Sequence, residues 1–306
     1  MLKNYQTTVS KQISFSGTGL HTGENSNIKI FPGEIDQGIV FKRIDLKDNN
    51  IILASYKNVS SAKLCTTLEN NAGVKVSTVE HLLASLYILG IDNVLIEIDN
   101  EEVPIMDGSA KEFIETLEKV KLKTLSAKRK YLKILDKIEL VDGSRKISIE
   151  PDESFQVDFQ LNYENKIIGN QRNSVNFYKD NLNEVANSRT FCLYEDIELI
   201  KKNGLAKGGS LDNAVVVDKD KVLNNEGLRN EKEFVNHKIL DLAGDFLLSG
   251  FRVLGKVKCY QGGHELTNMF LRKLLKNSKA FNIAESENPF IDKKISRNQI
   301  KLAVNA

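Results

Sequence analysis

Two stretches of this chain, half its length apart, follow the same pattern. Val79-Glu80-His81 opens a mostly apolar run that stops at Gly90, and the alternating stretch 93–98 (NVLIEI) follows. Val235-Asn236-His237 opens another, which stops at Gly250 and is followed by 253–260 (VLGKVKCY). The two histidines stand 156 positions apart in 306 residues, so this helix–glycine–strand unit hints at an internal duplication. At about 150 residues per domain, the length also suggests two domains.

Local signals fill in the plan. A helix is expected over 78–89, with Ser77 as N-cap and Glu80 three residues later in capping-box register. Gly90 suits the left-handed position after it. Further helices are expected at 110–120 and 232–248. Strand patterns occupy 8–14, 27–31, 131–140, 146–150 and 156–161. The segment 121–130 (KLKTLSAKRK) has five basic residues in ten and reads as a linker or as a solvated helix end. The expected division is therefore 1–122, a linker at 123–130, and 131–306. Runs of strands followed by helices favour an α+β fold over a βαβ pattern. The stretch GTGLHTG (17–23) has the wrong spacing for a dinucleotide-binding GxGxxG, and no helical pattern follows it.

Composition excludes several classes. Lys plus Arg number 43 against 41 Asp plus Glu, so nothing global points to nucleic acid. The N-terminus has no apolar core of a signal peptide. The longest near-apolar run, 82–91, falls far short of the ~20 residues that span a bilayer. Three cysteines without a CxxC pair speak for a reducing cytoplasm.

Chemistry-bearing residues concentrate on the two repeated helices. His237, Asp241, Asp245 and Ser249 recur every four residues among Ile239, Leu240, Leu242, Phe246, Leu247 and Leu248. Buried charges need partners. Side chains at i,i+4 lie about 5–6 Å apart on one face, so an imidazole and a carboxylate there can share a metal ion. HxxxD by itself more readily describes a hydrogen bond along a helix. Glu80 alone fits the capping box, and a carboxylate spent on a cap is not free to act as a base. His81 alone fits a satisfied core histidine. Together, His81, His237 and Asp241 offer three ligands, which leaves zinc a fourth position for water. Glu80 is then a candidate base beside a ligand, and His264, in Gly-Gly-His, a candidate acid.

Eight motifs occur in order: SFSGTGLHTG (14–23), STVEHLLASLYILGIDNVLIEID (77–99), EVPIMDGSA (102–110), SRTF (188–191), GGSLDNAVVVD (208–218), VLNNEGLR (222–229), FVNHKILDLAGD (234–245) and GGHELTN (262–268). Over about residues 5–275 the chain resembles the UDP-3-O-acyl-N-acetylglucosamine deacetylases of lipid A biosynthesis. The resemblance implies two related α+β domains, each a sheet packed on helices, with the site between them. It implies a cytoplasmic zinc amidase, expected to be a monomer, that removes acetate from the 2-acetamido group of a UDP-linked, 3-O-acylated glucosamine.

Carried over by position, the resemblance makes His81, His237 and Asp241 the zinc ligands and Glu80 the general base. His264 becomes the imidazolium that meets the oxyanion and protonates the leaving amine, with Asp245 supporting it. Thr190 becomes a hydroxyl donor to the oxyanion, and Lys238 and Phe191 lie near the sugar and diphosphate. Residues 191–206 are implied to shape a hydrophobic passage for the acyl chain; an ordinary amphipathic helix is the plainer alternative.

Some positions have no clear role or depart from the pattern. His21 lies in a family motif without an evident function. Cys192 stands where a small residue is expected. Cys65 could bind a second metal or be inert, the latter being preferred. Glu265 could alter the pKa of His264. Residues 276–306 are weakly patterned. The competing readings are an idle homologue that binds nucleotide-sugars, and a zinc amidohydrolase acting on another acylated amine.

Overall fold

The computed structural model describes residues 4–286. The end of the weakly patterned tail, 287–306, lies outside the described residues. Six helices are present among those residues: α1 (Glu80–Leu89), α2 (Lys111–Glu118), α3 (Asn183–Asn187), α4 (Ile197–Lys202), α5 (Glu233–Leu247) and α6 (His264–Lys276).

Two sheets of matching topology carry them. The first runs Ile13–Thr18, Asn25–Pro32, Val94–Ile98, Ile39–Arg43, Ile51–Leu53. Its central strand, Val94–Ile98, is antiparallel to Asn25–Pro32 and parallel to Ile39–Arg43. The second contains the run Ile138–Asp142, Arg145–Glu150, Arg252–Tyr260, Phe155–Asn162, Asn170–Asn176. Its central strand, Arg252–Tyr260, is again antiparallel to one neighbour in this run and parallel to the next, and its first residues also pair parallel with Lys130–Ile134. Each central strand lies between two helices in sequence, α1 and α2 in one half, α5 and α6 in the other. Each half also inserts a three-stranded sheet before its first core helix: Val59–Ser61, Thr67–Glu69, Lys75–Val76 in one, and Phe191–Leu193, Val215–Asp218, Lys221–Val222 in the other. The duplication hinted at by two histidine-led helices is thus present in strand order and direction. The fold is α+β with two related domains.

Alternation builds the cores. Ile28, Ile30, Ile96 and Ile98 sit on inward positions of adjacent strands and are fully buried, as a half-buried sheet requires. Helices α1 and α5 pack directly on each other and are buried nearly all round; Lys238 is the one residue of α5 that is not buried. Gly244 makes their close crossing possible. A Cβ at this position would fall 2.1 Å from the carbonyl oxygen of Glu80.

Three expectations need correction. The strand expected at 8–14 is two, Tyr5–Val9 and Ile13–Thr18, broken by the exposed residues 10–12. Tyr5–Val9 leaves its neighbour and pairs with Leu122–Lys128. The latter strand occupies most of the supposed linker, so this polar segment is an ordered ladder, not a loop or a helix end. The strand expected at 131–140 also divides, into Lys130–Ile134 and Ile138–Asp142. The first pairs with Phe281–Glu285, which lies within the weakly patterned tail, and the second with Arg145–Glu150. Leu135 N continues the first of these ladders to the Ala280 carbonyl at 2.8 Å, and Asp136 N turns to the same carbonyl at 3.3 Å, where the pairing stops.

Candidate active site

The α1–α5 crossing brings together side chains far apart in sequence. His81 Nε2 and His237 Nε2 each stand 3.4 Å from Asp241 Oδ1. The two imidazole rings meet edge to face, centroids 5.0 Å apart. His237 Nδ1 lies 3.0 Å from the Ser188 carbonyl oxygen; that oxygen can only accept, so Nδ1 carries the hydrogen and Nε2 keeps its lone pair. Burial holds the His237 pKa down to about 3, so the ring is neutral. Asp241 Oδ1 is buried with no hydrogen-bond partner, and so is His81 Nδ1. An orphaned carboxylate oxygen facing two imidazole nitrogens is costly unless a cation completes it. The ligand atoms of His81, His237 and Asp241 all lie within 4.8 Å of one another, and the group fits a metal ion. Ser249, the fourth member of the stripe, bonds the Phe251 carbonyl beyond the helix and takes no part.

Glu80 and His264 face this group. The capping box does not form: α1 has Val79 at its N-cap with no side-chain bond, and Ser77 instead bonds the Glu101 carbonyl. Pairing of Ser77 with the 101–103 segment draws it away from the helix axis. The Glu80 carboxylate is therefore free of the cap. Its Oε2 accepts from Thr66 N at 3.1 Å, and its Oε1 lies 3.6 Å from His264 Nε2. Burial raises the Glu80 pKa, against the pull of His264 and His81. His264 is the first residue of α6, and its Nδ1 meets Asp245 Oδ2 at 2.8 Å. Burial disfavours the charged ring, yet Asp245 and Glu80 outweigh it and hold the pKa up at about 10. Glu265 does not contribute: it points outward to Arg145 at 3.1 Å.

The remaining expected residues rim the group. Lys238 Nζ donates to Asp241 Oδ2 at 3.0 Å and sits 5.4 Å from the Phe191 ring centroid. The Phe191 ring also lies 6.3 Å from that of His237. Thr190, next in sequence, is fixed through its backbone: its N–H bonds the Gly108 carbonyl and its carbonyl takes Val215 N, both at 2.8 Å. Thr190 and Phe191 open onto an apolar cavity of about 350 Å³, whose other walls include Leu20, Tyr194, Ile197 and Ile200. Segment 191–206 is thus a short strand, a turn of 3₁₀ helix and the brief α4 around a cavity, not one amphipathic helix. His21 lines the same cavity, its Nδ1 accepting from Ala206 N at 3.3 Å. Burial raises the Cys65 thiol to about 12 and Cys192 to about 11.

The sequence profile of the UDP-3-O-acyl N-acetylglycosamine deacetylase family matches residues 6–276. The chain belongs to this family. A relative in Pseudoalteromonas translucida, named UDP-3-O-acyl-N-acetylglucosamine deacetylase, is 40% identical over 287 residues, 93% of this chain and 95% of its own length. Relatives of the same name in Syntrophotalea carbinolica and Shewanella frigidimarina are 42% and 40% identical, covering 92% and 91% of this chain and 91% and 92% of their own.

Residues outside the sequence reading complete the cluster. Thr66 donates its backbone N–H to Glu80 and its hydroxyl to Asp245 Oδ1 at 2.7 Å. The sequence singles out only its neighbour Cys65, and a strand-flanking threonine carries no local signal of such a role. Arg189 is fully buried, and its Nε donates to Glu233 Oε1 at 2.8 Å. That pair ties the segment carrying Ser188 and Thr190 to the first turn of α5. The basic residue in SRTF and the acid at the helix start were both visible, but 44 positions separate them.

Proposed function

We propose that this protein hydrolyses the 2-acetamido group of a UDP-linked, 3-O-acylated N-acetylglucosamine, releasing acetate, in the cytoplasmic phase of lipid A biosynthesis, with zinc as its metal. The carrying observation is the orphaned Asp241 Oδ1 between two imidazoles, with the buried Glu80 carboxylate and His264 imidazole beside the group. Family membership supports the substrate, and three free cysteines accord with a reducing compartment. Among the described residues, no helix is long and apolar enough to cross a membrane. We assign the division 1–122, 123–130 and 131–306 to two domains and their ordered connection, in a monomer.

His81, His237 and Asp241 would hold the metal. A bound zinc ion supplies a Lewis acid for the amide oxygen and a water of lowered pKa. Glu80 takes the proton of the attacking water. Its raised pKa brings it nearer the working pH, as an efficient base requires. His264 enters as imidazolium: it donates to the developing oxyanion and then protonates the leaving amine. Asp245 keeps it charged and orients Nε2 toward Glu80. The Thr190 hydroxyl is a second donor to the oxyanion. Lys238 and Phe191 take the sugar and diphosphate, and the apolar cavity beside them takes the acyl chain.

The test separates chemistry from metal binding. Glu80→Ala and His264→Ala should each lose about 10²–10³ in rate while binding one equivalent of zinc. Loss of zinc from either variant would show that a ligand had been misassigned.

A further inference from the structure

We propose that Glu102 is a positioning residue that fixes the wall of the apolar cavity to the start of α1, and so sets the distance between bound acyl chain and Glu80–His81. This inference rests on the reaction proposed above. Glu102 is 1% exposed. Its Oε1 accepts from the Thr78 hydroxyl at 2.7 Å and from His21 N at 2.9 Å. Its Oε2 accepts from Thr22 N and the Thr22 hydroxyl, both at 2.8 Å. One buried carboxylate therefore holds the loop 17–23 and the residue that leads into α1.

Each end of that connection reaches a functional feature. Thr78 has φ +56°, a left-handed conformation that is costly for a β-branched residue and persists only where surroundings enforce it. Val79 and then Glu80 and His81 follow it directly. At the other end, His21 Nδ1 accepts from Ala206 N, and the His21 and Leu20 carbonyls accept from Lys207 N and Gly208 N at 3.2 and 3.1 Å. Ala206 and Gly209 line the cavity. Two glycines permit the approach. A Cβ on Gly19 would stand 2.4 Å from Glu102 Oε2, and one on Gly208 would stand 2.3 Å from the Gly19 carbonyl oxygen. The path from carboxylate to cavity wall runs from Glu80 along the backbone through Val79 to Thr78, and from there by hydrogen bonds through Glu102 and His21 to Ala206.

The test compares Thr78→Val, which breaks one bond, with Glu102→Gln, which disturbs both ends. Kinetics are read on a long-acyl and a short-acyl substrate, and metal retention by chelator competition. Thr78→Val should lower kcat about 10- to 100-fold on both substrates with KM unchanged, and should release zinc at lower chelator concentration. Glu102→Gln should do the same and also raise KM, for the long-acyl substrate alone. Gly19→Ala, which crowds the same carboxylate, should give a milder version and serves if Glu102→Gln does not fold. A lowered melting temperature with wild-type kcat, KM and zinc retention would reduce Glu102 to a structural role and overturn the proposal. Wild-type protein that released no acetate would sink the reaction instead, and zinc retention in the variants would then decide the positioning role.

Discussion

Asp245 and His264 meet at 2.8 Å, Oδ2 to Nδ1, while the other oxygen of Asp245 takes the Thr66 hydroxyl at 2.7 Å. Both carboxylate oxygens are committed, so the imidazole is fixed in orientation as well as charge. Asp245→Asn keeps the shape and removes the charge. It should lower kcat about 10²-fold with little change in KM and with zinc retained. Steady-state kinetics with metal analysis checks this; a change confined to KM would place Asp245 in substrate binding instead.

Gly244 lies where α5 crosses α1. Alanine is favoured over glycine in a helix by about 1 kcal/mol. Here its Cβ would meet the backbone oxygen of Glu80 at 2.1 Å, which cannot swing aside as a side chain could. Overpacking of this kind costs about 1–3 kcal/mol. The clash should win: Gly244→Ala should lower the melting temperature and displace Glu80 enough to depress kcat. A raised melting temperature would show that propensity prevails and that the helices separate freely.

The Arg189–Glu233 pair has both side chains fully buried. Glu233 also accepts from Arg189 N and Arg229 N, at 3.1 and 2.7 Å. Glu233→Ala leaves a buried guanidinium without its main partner, a change that costs about 3–5 kcal/mol. Denaturant unfolding should show a loss of that size. A loss below about 1 kcal/mol, the value of an exposed pair, would contradict it.

Thiol reactivity gives a pH-dependent prediction. Only the thiolate is nucleophilic. Burial raises Cys65 and Cys259 to about 12 and the half-buried Cys192 to about 11. At pH 8 the thiolate fraction of Cys65 is then roughly 10⁻⁴, and it grows as pH rises. Native protein should resist iodoacetamide at pH 8, with Cys192 the first to react as pH increases. Rapid labelling of Cys65 at pH 8 would overturn the inert reading of that residue.

The legible parts of the fold were those written in contiguous sequence. Helices α1 and α5 announce themselves by mostly apolar runs ending at Gly90 and Gly250, and the half-chain separation of their histidines anticipates the matched sheets. Breaks governed by distant partners were not legible. Tyr5–Val9 separates from Ile13–Thr18 because its mate is Leu122–Lys128, and no local signal at 10–12 reports that pairing. The same holds at the site. His81, His237 and Asp241 stand out as residue types, and the structure brings them together. Whether Glu80 was a cap or a free carboxylate depended on Ser77 pairing with 101–103, a contact made across the fold. Thr66, which donates to two carboxylates, looks like any threonine beside a strand.

The most direct test of the account is acetate release from UDP-3-O-acyl-N-acetylglucosamine by purified protein, measured as isolated, after chelation, and after one equivalent of zinc is restored. Activity that disappears on chelation and returns with zinc is the predicted result. Folded protein that holds zinc yet releases no acetate in any state would contradict it.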